Sequence, residues 1–516
     1  MADNEDWEIN LSKLGKVYII GAGPGDPGLI TLRGIQCLEQ ADVVVYDYLA
    51  NEEFLGRVGK DARLIYVGKK GGDHTLPQGE INQILVDEAL RGHTVARLKG
   101  GDPFIFGRGG EEAEALREAG IAFEVIPGVT SAIAVPAFAG IPLTHRGYTS
   151  TVAFVTGHED PTKGKSDIDW AKLSGIGTLV FLMGVKNLAN IARNLIEGGK
   201  SPETPAALIR WGTTPDQETL TGTLADIAVK AKKQGFSPPS ILVVGEVVSL
   251  RPKLGWFETK PLFGKGIVIT RPEEQAAEFA RLLSAEGARV ILFPTIRIVP
   301  PDSWELLDRA LDSLGSYHWI IFTSANGVKH FFRRLRETGR DVRDLKGIRI
   351  CTIGPATAAA VEAMGIRVDI VPGEYISEGV VRAFRDVDLK GKRVLLPRAQ
   401  EARDVIPDGL AKRGASVDVV TVYSTVRSES RKEELRLLLD DGKIDVITFT
   451  SPSTVNNFRE IMGGAALPET VRIACIGPVT AAAAKKQGFT VHIYQEEFTI
   501  PGMMKALVAH FSEKKA

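Results

Sequence analysis

The sequence predicts an α/β protein in which short strands alternate with amphipathic helices from end to end. Strand-like runs rich in Val and Ile, such as Lys16–Gly21, Val43–Tyr46 and Trp319–Phe322, are each followed by a turn and a helical segment. This alternation is typical of parallel sheets with crossover helices. A long internal duplication in the second half further predicts two similar lobes there.

Length and charge limit the classes of function. The chain has 516 residues, which at about 100–200 residues per domain predicts three or four compact units. The net charge is -1, with 44% hydrophobic and 25% charged residues, as in ordinary globular proteins. No overall field attracts a nucleic acid or a membrane surface, so neither is expected as a partner. Local Arg and Lys side chains would have to bind an anionic ligand.

Cysteine usage and hydropathy predict a cytoplasmic protein. Cys37, Cys351 and Cys475 lie far apart and form no CxxC pair, which argues against a disulfide framework and against a structural metal site. We expect them to be small buried residues in a reducing compartment. Residues 1–10 lack the basic and apolar regions of a signal peptide, and no apolar run of about 18 residues occurs.

Proline and glycine interrupt the strand–helix pattern near residues 251–265. Arg251-Pro252 and Lys260-Pro261 cannot continue a helix or a central strand, and Gly264-Lys265-Gly266 restarts the pattern. The predicted organisation is a tail at 1–14, a first domain at 15–250, a linker at 251–263 and a second domain at 264–516.

The second domain contains two copies of one unit. Thr323-Ser324 is matched by Thr450-Ser451 at a separation of 127 residues, and Gly354-Pro355 by Gly477-Pro478 at 123. A nearly constant offset indicates duplication, and two lobes leave a cleft suited to a ligand. Equivalent extended segments at 290–299 and 417–426 are predicted to form a two-strand hinge. Lobe one then comprises 264–297 with 427–516, and lobe two comprises 300–422.

A glycine-rich loop, GAGPGDPG at 21–28, follows the first strand. It approaches the GxGxxG pattern of dinucleotide sites, but Asp26 replaces the third glycine. Pro24 and Pro27 also lack the amide donors that a pyrophosphate needs. The loop therefore favours a ligand without phosphate, such as the sulfonium compound S-adenosylmethionine. The alternative is a plain tight turn.

A second glycine-rich segment, RLKGGDPFIFGRGGEE at 97–112, places three cations around a loop. Its glycines allow a ligand to approach the backbone, and Arg97, Lys99 and Arg108 together suggest an anion. Further strand-to-loop transitions are PGVTSA at 127–132, FLMG at 181–184 and LIRWGT at 208–213.

Together with YD at 46–47 and VGK at 67–69, these motifs resemble uroporphyrinogen-III C-methyltransferases over residues 15–250. The resemblance implies a two-lobed tetrapyrrole-methylase fold, a homodimer formed through this domain, and S-adenosylmethionine as methyl donor, released as S-adenosylhomocysteine. It implies transfer of two methyls to carbons 2 and 7 of uroporphyrinogen III, giving precorrin-2. The cofactor positions that it implies are Pro24, Gly100, Gly101, Asp102, Ile105, Thr130, Ser131, Met183 and Gly212.

The same resemblance implies catalytic roles. Asp47 matches the proton acceptor and Lys69 the proton donor, and a carboxylate suits removal of a proton from the methylated, cationic ring. A loop cap at a strand end is an equally good interpretation of Asp47. Arg97, Lys99 and Arg146 are expected to pair with the acetate and propionate groups of the substrate.

Four repeated turns of the second half join a strand to a helix: 323–327, 353–357, 450–454 and 476–480. Helix starts of this kind present free amides to carboxylates, although helix capping alone explains any one of them. We expect Arg271 and Arg398, with Thr323, Ser324, Ser451 and Thr480, to line a cleft facing a polyanion.

TSANGV, the two IGP turns, SEG at 377–379, TSPST and Tyr423 resemble uroporphyrinogen-III synthase over 264–510. The resemblance implies a duplicated flavodoxin-like fold that closes hydroxymethylbilane, with inversion of its last ring and loss of water. Tyr423 would assist departure of the hydroxyl. A hinge aromatic packed between the lobes is the structural alternative.

Three other functions remain open at this point. A dinucleotide oxidoreductase would need the missing third glycine. A methyltransferase for another corrin precursor, or for a protein side chain, would keep the first-half chemistry. A non-enzymatic second half would bind a tetrapyrrole or another anion without closing it. Consecutive reactions on one chain favour the fusion of synthase and methyltransferase.

Overall fold

The computed structural model describes residues 14–68, 76–157, 167–428, 431–495 and 497–512. The described residues of 1–265, 283–289 and 511–516 form one compact unit, and those of 266–282 and 290–510 form another. Among the described residues, no helix combines the length and apolar character needed to cross a bilayer.

The first sheet of the first unit is entirely parallel. Its order is β3-β2-β4-β1-β5, so the loops after β4, β1 and β5 lie side by side at its carboxyl edge. The strands are β1 (Lys16–Gly21), β2 (Val43–Tyr46), β3 (Arg63–Tyr66), β4 (Val95–Lys99) and β5 (Ala122–Ile126). The helices are α1 (Leu32–Glu39), α2 (Gln78–Leu90), α3 (Gly109–Glu118) and α4 (Ser131–Phe138).

The second sheet of this unit differs from the expected parallel pattern. Within this sheet β6 and β7 pair in parallel, whereas β10 is antiparallel to β7 and β8, and β8 is antiparallel to β9. The short link from β8 to β9 permits a hairpin but not a crossover. The strands are β6 (Val152–Thr156), β7 (Thr178–Leu182), β8 (Pro205–Arg210), β9 (Glu218–Thr223) and β10 (Ser240–Val244). The helices are α5 (Trp170–Ser174), α6 (Leu188–Glu197), α7 (Ile227–Lys233) and α8 (Arg251–Leu254).

The rest of the chain forms two sheets, ordered β12-β11-β18-β19 and β13-β17-β16-β14-β15. The strands are β11 (Gly266–Ile269), β12 (Arg289–Leu292), β13 (Ile296–Val299), β14 (Trp319–Phe322), β15 (Arg349–Thr352), β16 (Arg393–Ala399), β17 (Ser416–Arg427), β18 (Val446–Phe449) and β19 (Arg472–Cys475). The helices are α9 (Glu273–Ala285), α10 (Glu305–Asp312), α11 (Ala325–Glu337), α12 (Pro355–Glu362), α13 (Ser377–Ala383), α14 (Val405–Ala411), α15 (Lys432–Asp440), α16 (Pro452–Ile461), α17 (Pro478–Lys486) and α18 (Ile500–Ser512).

The duplication is visible in strand pairing. Cys351 bridges Ile370 in one copy, and Ala474 bridges Ile493 in the other, each beside the last strand of its sheet. Each sheet combines strands of both copies: β11 pairs in parallel with β18 in one, and β14 with β16 in the other, which gives parallel pairing of the predicted flavodoxin type. β13 pairs antiparallel with the end of β17, which gives the two-strand connection that the duplicated fold was expected to contain.

Buried aliphatic and aromatic side chains fill both faces of the sheets. Cys37, Cys351 and Cys475 lie in these cores as free thiols, and burial raises the pKa of Cys351 and of Cys475 to about 12. Their expected role as buried packing residues is confirmed.

Candidate active sites

Three glycines hold the loops after β1, β4 and β5 in mutual contact. A Cβ on Gly128 would overlap the Gly101 carbonyl oxygen and lie 2.6 Å from the Gly21 Cα. Gly101 has φ +70°, a conformation that favours glycine, and its amide donates to the Gly23 carbonyl at 2.7 Å. The sequence therefore needs glycine here for close approach of backbone to backbone.

Two aspartate side chains accept hydrogen bonds from backbone amides of these loops. Asp26 Oδ1 accepts from the Gly28 amide at 2.8 Å, and Asp102 accepts from the Phe104 amide at 2.8 Å and the Gly128 amide at 3.0 Å. A pyrophosphate would meet two carboxylates and amides that are already bonded. The arrangement therefore argues against a dinucleotide, as the missing third glycine predicted.

Three residues that follow strands of the second sheet have left-handed backbone conformations. Met183, Trp211 and Thr213 have φ values of +58°, +49° and +72°, at the ends of β7 and β8. Non-glycine residues in this region of φ carry backbone strain, which tends to cluster at ligand sites. Thr213 Oγ1 accepts from the Asp26 amide at 3.1 Å and so connects the β8 loop to the β1 loop.

The predicted cofactor positions lie on these converging loops. Thr130 caps α4 by accepting from the Ala132 amide, and a Cβ on Gly212 would overlap Val135 of the same helix. Ile105 and Met183 are exposed, although large apolar side chains are usually buried. The remaining positions on these loops are Pro24, Gly100, Gly101, Asp102 and Ser131.

Asp47 lies at the carboxyl end of β2, where two donors fix its carboxylate. Oδ1 accepts from the Leu49 amide at 3.1 Å, and Oδ2 accepts from Arg97 Nη2 at 3.2 Å. The side chain is 23% exposed, so it remains accessible. The loop-cap interpretation therefore accounts for Oδ1, which accepts from the Leu49 amide, but not for Oδ2, which pairs with Arg97.

Arg97 and Lys99 lie within the protein and not on a surface. Both contact the buried carboxylate of Glu112, at 3.1 Å from Arg97 Nε and 2.7 Å from Lys99 Nζ. Burial lowers the pKa of Lys99, and the nearby Arg97 charge lowers it further. Direct pairing of these cations with substrate carboxylates remains a prediction that their burial does not favour.

The other predicted groups of the first domain are more peripheral. Arg146 is exposed in a loop closed by pairing of His145 with Thr149. Lys69 lies outside the described residues.

In the second half, Ser324 and Tyr423 are hydrogen-bonded although they lie 99 residues apart. Their hydroxyl oxygens are 3.0 Å apart, and Ser324 Oγ also accepts from the Gly327 amide, which caps α11. The Tyr423 ring is largely buried and stacks on His330 at 5.7 Å. Tyr423 is thus both a packed aromatic of β17 and the partner of a residue in a repeated turn.

The other predicted residues of the second half have local partners. Ser451 caps α16 in a reciprocal pair with Thr454, and Thr480 is buried in the first turn of α17. Arg398 pairs with Asp404 at 2.6 Å, and Arg271 Nη2 donates to Gln275 at 3.2 Å. Thr323 precedes Ser324 at the end of β14 and is half-buried.

Sequence reasoning missed Glu112 and Thr213. Glu112 is the last residue of the RLKGGDPFIFGRGGEE motif, and the sequence does contain a reason to expect a buried carboxylate near Arg97 and Lys99. Arg97 and Lys99 are two residues apart on one strand and so face the same side of the sheet. Two cations facing a helix-covered core require a buried counter-charge. No comparable signal identified Thr213, because its contact depends on the packing of the two sheets.

Two family models match separate parts of the chain. The family model for Tetrapyrrole (Corrin/Porphyrin) Methylases matches residues 16–228, and that for Uroporphyrinogen-III synthase HemD matches residues 277–505. The chain is 40% identical over 499 residues to the Porphyrin biosynthesis protein HemD of Ruminiclostridium josui, covering 96% of this chain and 98% of that protein.

Two further relatives match the first half. The S-adenosyl-L-methionine-dependent uroporphyrinogen III methyltransferase of Methanosarcina barkeri is 54% identical over 242 residues, covering 47% of this chain and 95% of that protein. The crystal structure of uroporphyrin-III C-methyltransferase from Thermus thermophilus with S-adenosylhomocysteine has 39% identity and a TM-score of 0.39, covering 45% of this chain and 93% of that one. The chain belongs to the HemD porphyrin-biosynthesis family, with a uroporphyrinogen-III methyltransferase domain followed by a uroporphyrinogen-III synthase domain.

Proposed function

We propose that this chain carries out two consecutive steps of tetrapyrrole synthesis. The second domain closes hydroxymethylbilane to uroporphyrinogen III, and the first domain methylates that product twice to give precorrin-2. The observation that carries the proposal is the presence of both domains on one chain, in a family whose member matches it over 96% of its length. The product of one domain is the substrate of the other.

The residues of the first domain fit S-adenosylmethionine. Because Gly21, Gly101 and Gly128 pack against one another without side chains, a ligand can contact the backbone of their loops directly. Ile105 and Met183 offer exposed apolar surface for a nucleoside. Asp26 and Asp102 occupy amides that a phosphate would need. When bound, S-adenosylmethionine supplies an electrophilic methyl group.

Asp47 is the group best placed to accept the proton that the substrate loses after methylation. Its carboxylate is partly exposed and is oriented by the Leu49 amide and by Arg97. A fixed carboxylate reduces the reorganisation that proton transfer requires. We assign proton donation to Lys69 and substrate-carboxylate binding to Arg146 by family resemblance.

In the second domain, the repeated turns and the side chains of Arg271 and Arg398 are the groups that would bind the carboxylates of the substrate. The amides that begin α11, α12, α16 and α17 provide anion-binding groups at repeat-related places. Tyr423, hydrogen-bonded to Ser324, is the candidate to assist departure of the hydroxyl.

Tyr423→Phe is expected to slow ring closure about tenfold, the order of effect of losing one functional hydrogen bond. The phenyl ring preserves packing on His330, so stability should change little. The measurement is the rate of uroporphyrinogen III formation and its ratio to the spontaneously closed isomer. Tyr317→Phe is the matched control, because Tyr317 is also buried and bonds Asp418 at 2.6 Å. Equal rates of ring closure for both variants would show that the Tyr423 hydroxyl has no role in the reaction and that the residue only packs.

The proposal is tested by supplying each substrate separately to the full chain. Uroporphyrinogen III with labelled S-adenosylmethionine should acquire two labels per macrocycle, and hydroxymethylbilane alone should yield the III isomer. Labelling of a different corrin precursor in preference to uroporphyrinogen III would favour the alternative methyltransferase. Binding of hydroxymethylbilane without faster closure would favour an anion-binding module.

We also propose that the protein acts in the cytoplasm and forms a homodimer through its methyltransferase domain. The dimer rests on family resemblance. Sedimentation of the full chain at several concentrations should give twice the monomer mass of 55.8 kDa, and a monomer throughout would contradict it.

A further inference from the structure

Glu112 is a buried carboxylate at the centre of the charged groups behind Asp47. It lies on α3, is 0% exposed, and its Oε1 accepts from Arg97 Nε at 3.1 Å and Lys99 Nζ at 2.7 Å. Gln78 Nε2 donates to the same oxygen at 3.3 Å. The resemblance to the methyltransferases assigns no role to this residue.

The guanidinium of Arg97 links Glu112 to Asp47. Nε donates to Glu112, Nη1 donates to the Leu98 carbonyl at 3.0 Å, and Nη2 donates to Asp47 Oδ2 at 3.2 Å. Because the guanidinium is planar, fixing Nε and Nη1 also fixes the direction in which Nη2 points. The orientation of Asp47 therefore depends on a carboxylate that does not touch it.

Charge balance leads to the same conclusion. Arg97 and Lys99 are cations on one face of β4, and burial makes unpaired charge costly. Glu112 contacts both of them, and Glu112 and Asp47 together balance the two positive charges, so Asp47 shares Arg97 with a second carboxylate. Without Glu112, Arg97 would keep Asp47 as its remaining carboxylate partner and would draw it into a tighter ion pair, which would leave the Asp47 carboxylate less available to the substrate.

We propose that Glu112 is a positioning residue for methyl transfer, acting on Asp47 through Arg97. The inference rests on the proposed function of Asp47 as proton acceptor. In this role Glu112 keeps the Asp47 carboxylate in the orientation in which it can reach the substrate. The glycine loops, and not Glu112, bind the cofactor.

The test is a double-mutant cycle on the full chain. Glu112→Gln should lower kcat for methylation of uroporphyrinogen III about tenfold, with KM for S-adenosylmethionine changed less than about twofold. In an Asp47→Asn background, the same substitution should change kcat less than about twofold, because its effect passes through Asp47.

A matched control separates positioning from stability. Glu88 is also buried in this domain, on α2, and contacts Arg63, Arg91 and His93. Glu88→Gln should lower the thermal unfolding temperature as Glu112→Gln does, yet leave kcat unchanged. Should Glu112→Gln fail to fold, Lys99→Met/Glu112→Leu replaces the charged pair with apolar groups. That variant should fold and show a lower kcat than Lys99→Met alone, the comparison that accounts for loss of the lysine.

The outcomes distinguish the inference from the function on which it rests. Unchanged kcat in folded Glu112 variants, or additive losses with Asp47→Asn, would overturn the positioning role alone. Undiminished methylation by Asp47→Asn itself would overturn the proposed role of Asp47.

Discussion

Asp47→Asn is expected to slow methylation of uroporphyrinogen III at least about a hundredfold, the lower range of general acid–base effects. Asparagine preserves the shape and can accept from the Leu49 amide, but it cannot accept a proton at neutral pH. Ring closure of hydroxymethylbilane by the same preparation should remain at the wild-type rate. The measurement is single-turnover transfer of labelled methyl, with ring closure recorded in parallel.

Asp42→Asn is the matched control for this prediction. Asp42 is an exposed acid immediately before the same strand, and its Oδ2 accepts from the Thr94 amide at 2.7 Å. We expect methylation by Asp42→Asn to remain near the wild-type rate. Comparable rates for the two variants would show that the Asp47 carboxylate is not required in the methylation step.

Gly128→Ala is expected to weaken S-adenosylmethionine binding more than about tenfold and to destabilise the first domain by about 1–3 kcal/mol, as overpacking does. The added Cβ would overlap the Gly101 carbonyl oxygen and lie 2.6 Å from Gly21, so the three loops must separate. Calorimetric titration measures the affinity, and thermal unfolding measures the stability.

Gly110→Ala provides the control for the loop prediction. Gly110 stands in the first turn of α3, where an added Cβ meets nothing within 4 Å. This variant should bind the cofactor with wild-type affinity. Full affinity in Gly128→Ala as well would mean that close packing of the loops does not shape the cofactor site.

The sequence predicted most of the first sheet and its loops. Lys16–Gly21 and Val43–Tyr46 are strands with the predicted bounds, and α1 begins at Leu32 with Thr31 as its cap. These features depend on local patterns of apolar and turn residues. The antiparallel pairing of β10 with β7 and β8 was not predicted, because pairing direction depends on contacts between segments far apart in sequence.

Burial of charge was the main feature that local patterns could not provide. Arg97 and Lys99 were expected to contact the substrate, but both lie on a central strand covered by α3. The pairing of Ser324 with Tyr423 likewise depends on β14 and β17 lying in one sheet, on either side of β16. The duplication, in contrast, was readable from sequence because equivalent turns keep a nearly constant offset.

A coupled reaction of the full chain reports both activities and their order in one experiment. The purified chain is given hydroxymethylbilane and labelled S-adenosylmethionine without oxygen, and the products are resolved by mass and isomer. We expect uroporphyrinogen III to form first and then a macrocycle with two labelled methyls, and we expect Asp47→Asn to stop at uroporphyrinogen III. Formation of only the spontaneously closed isomer, or of a product without label, would contradict this expectation.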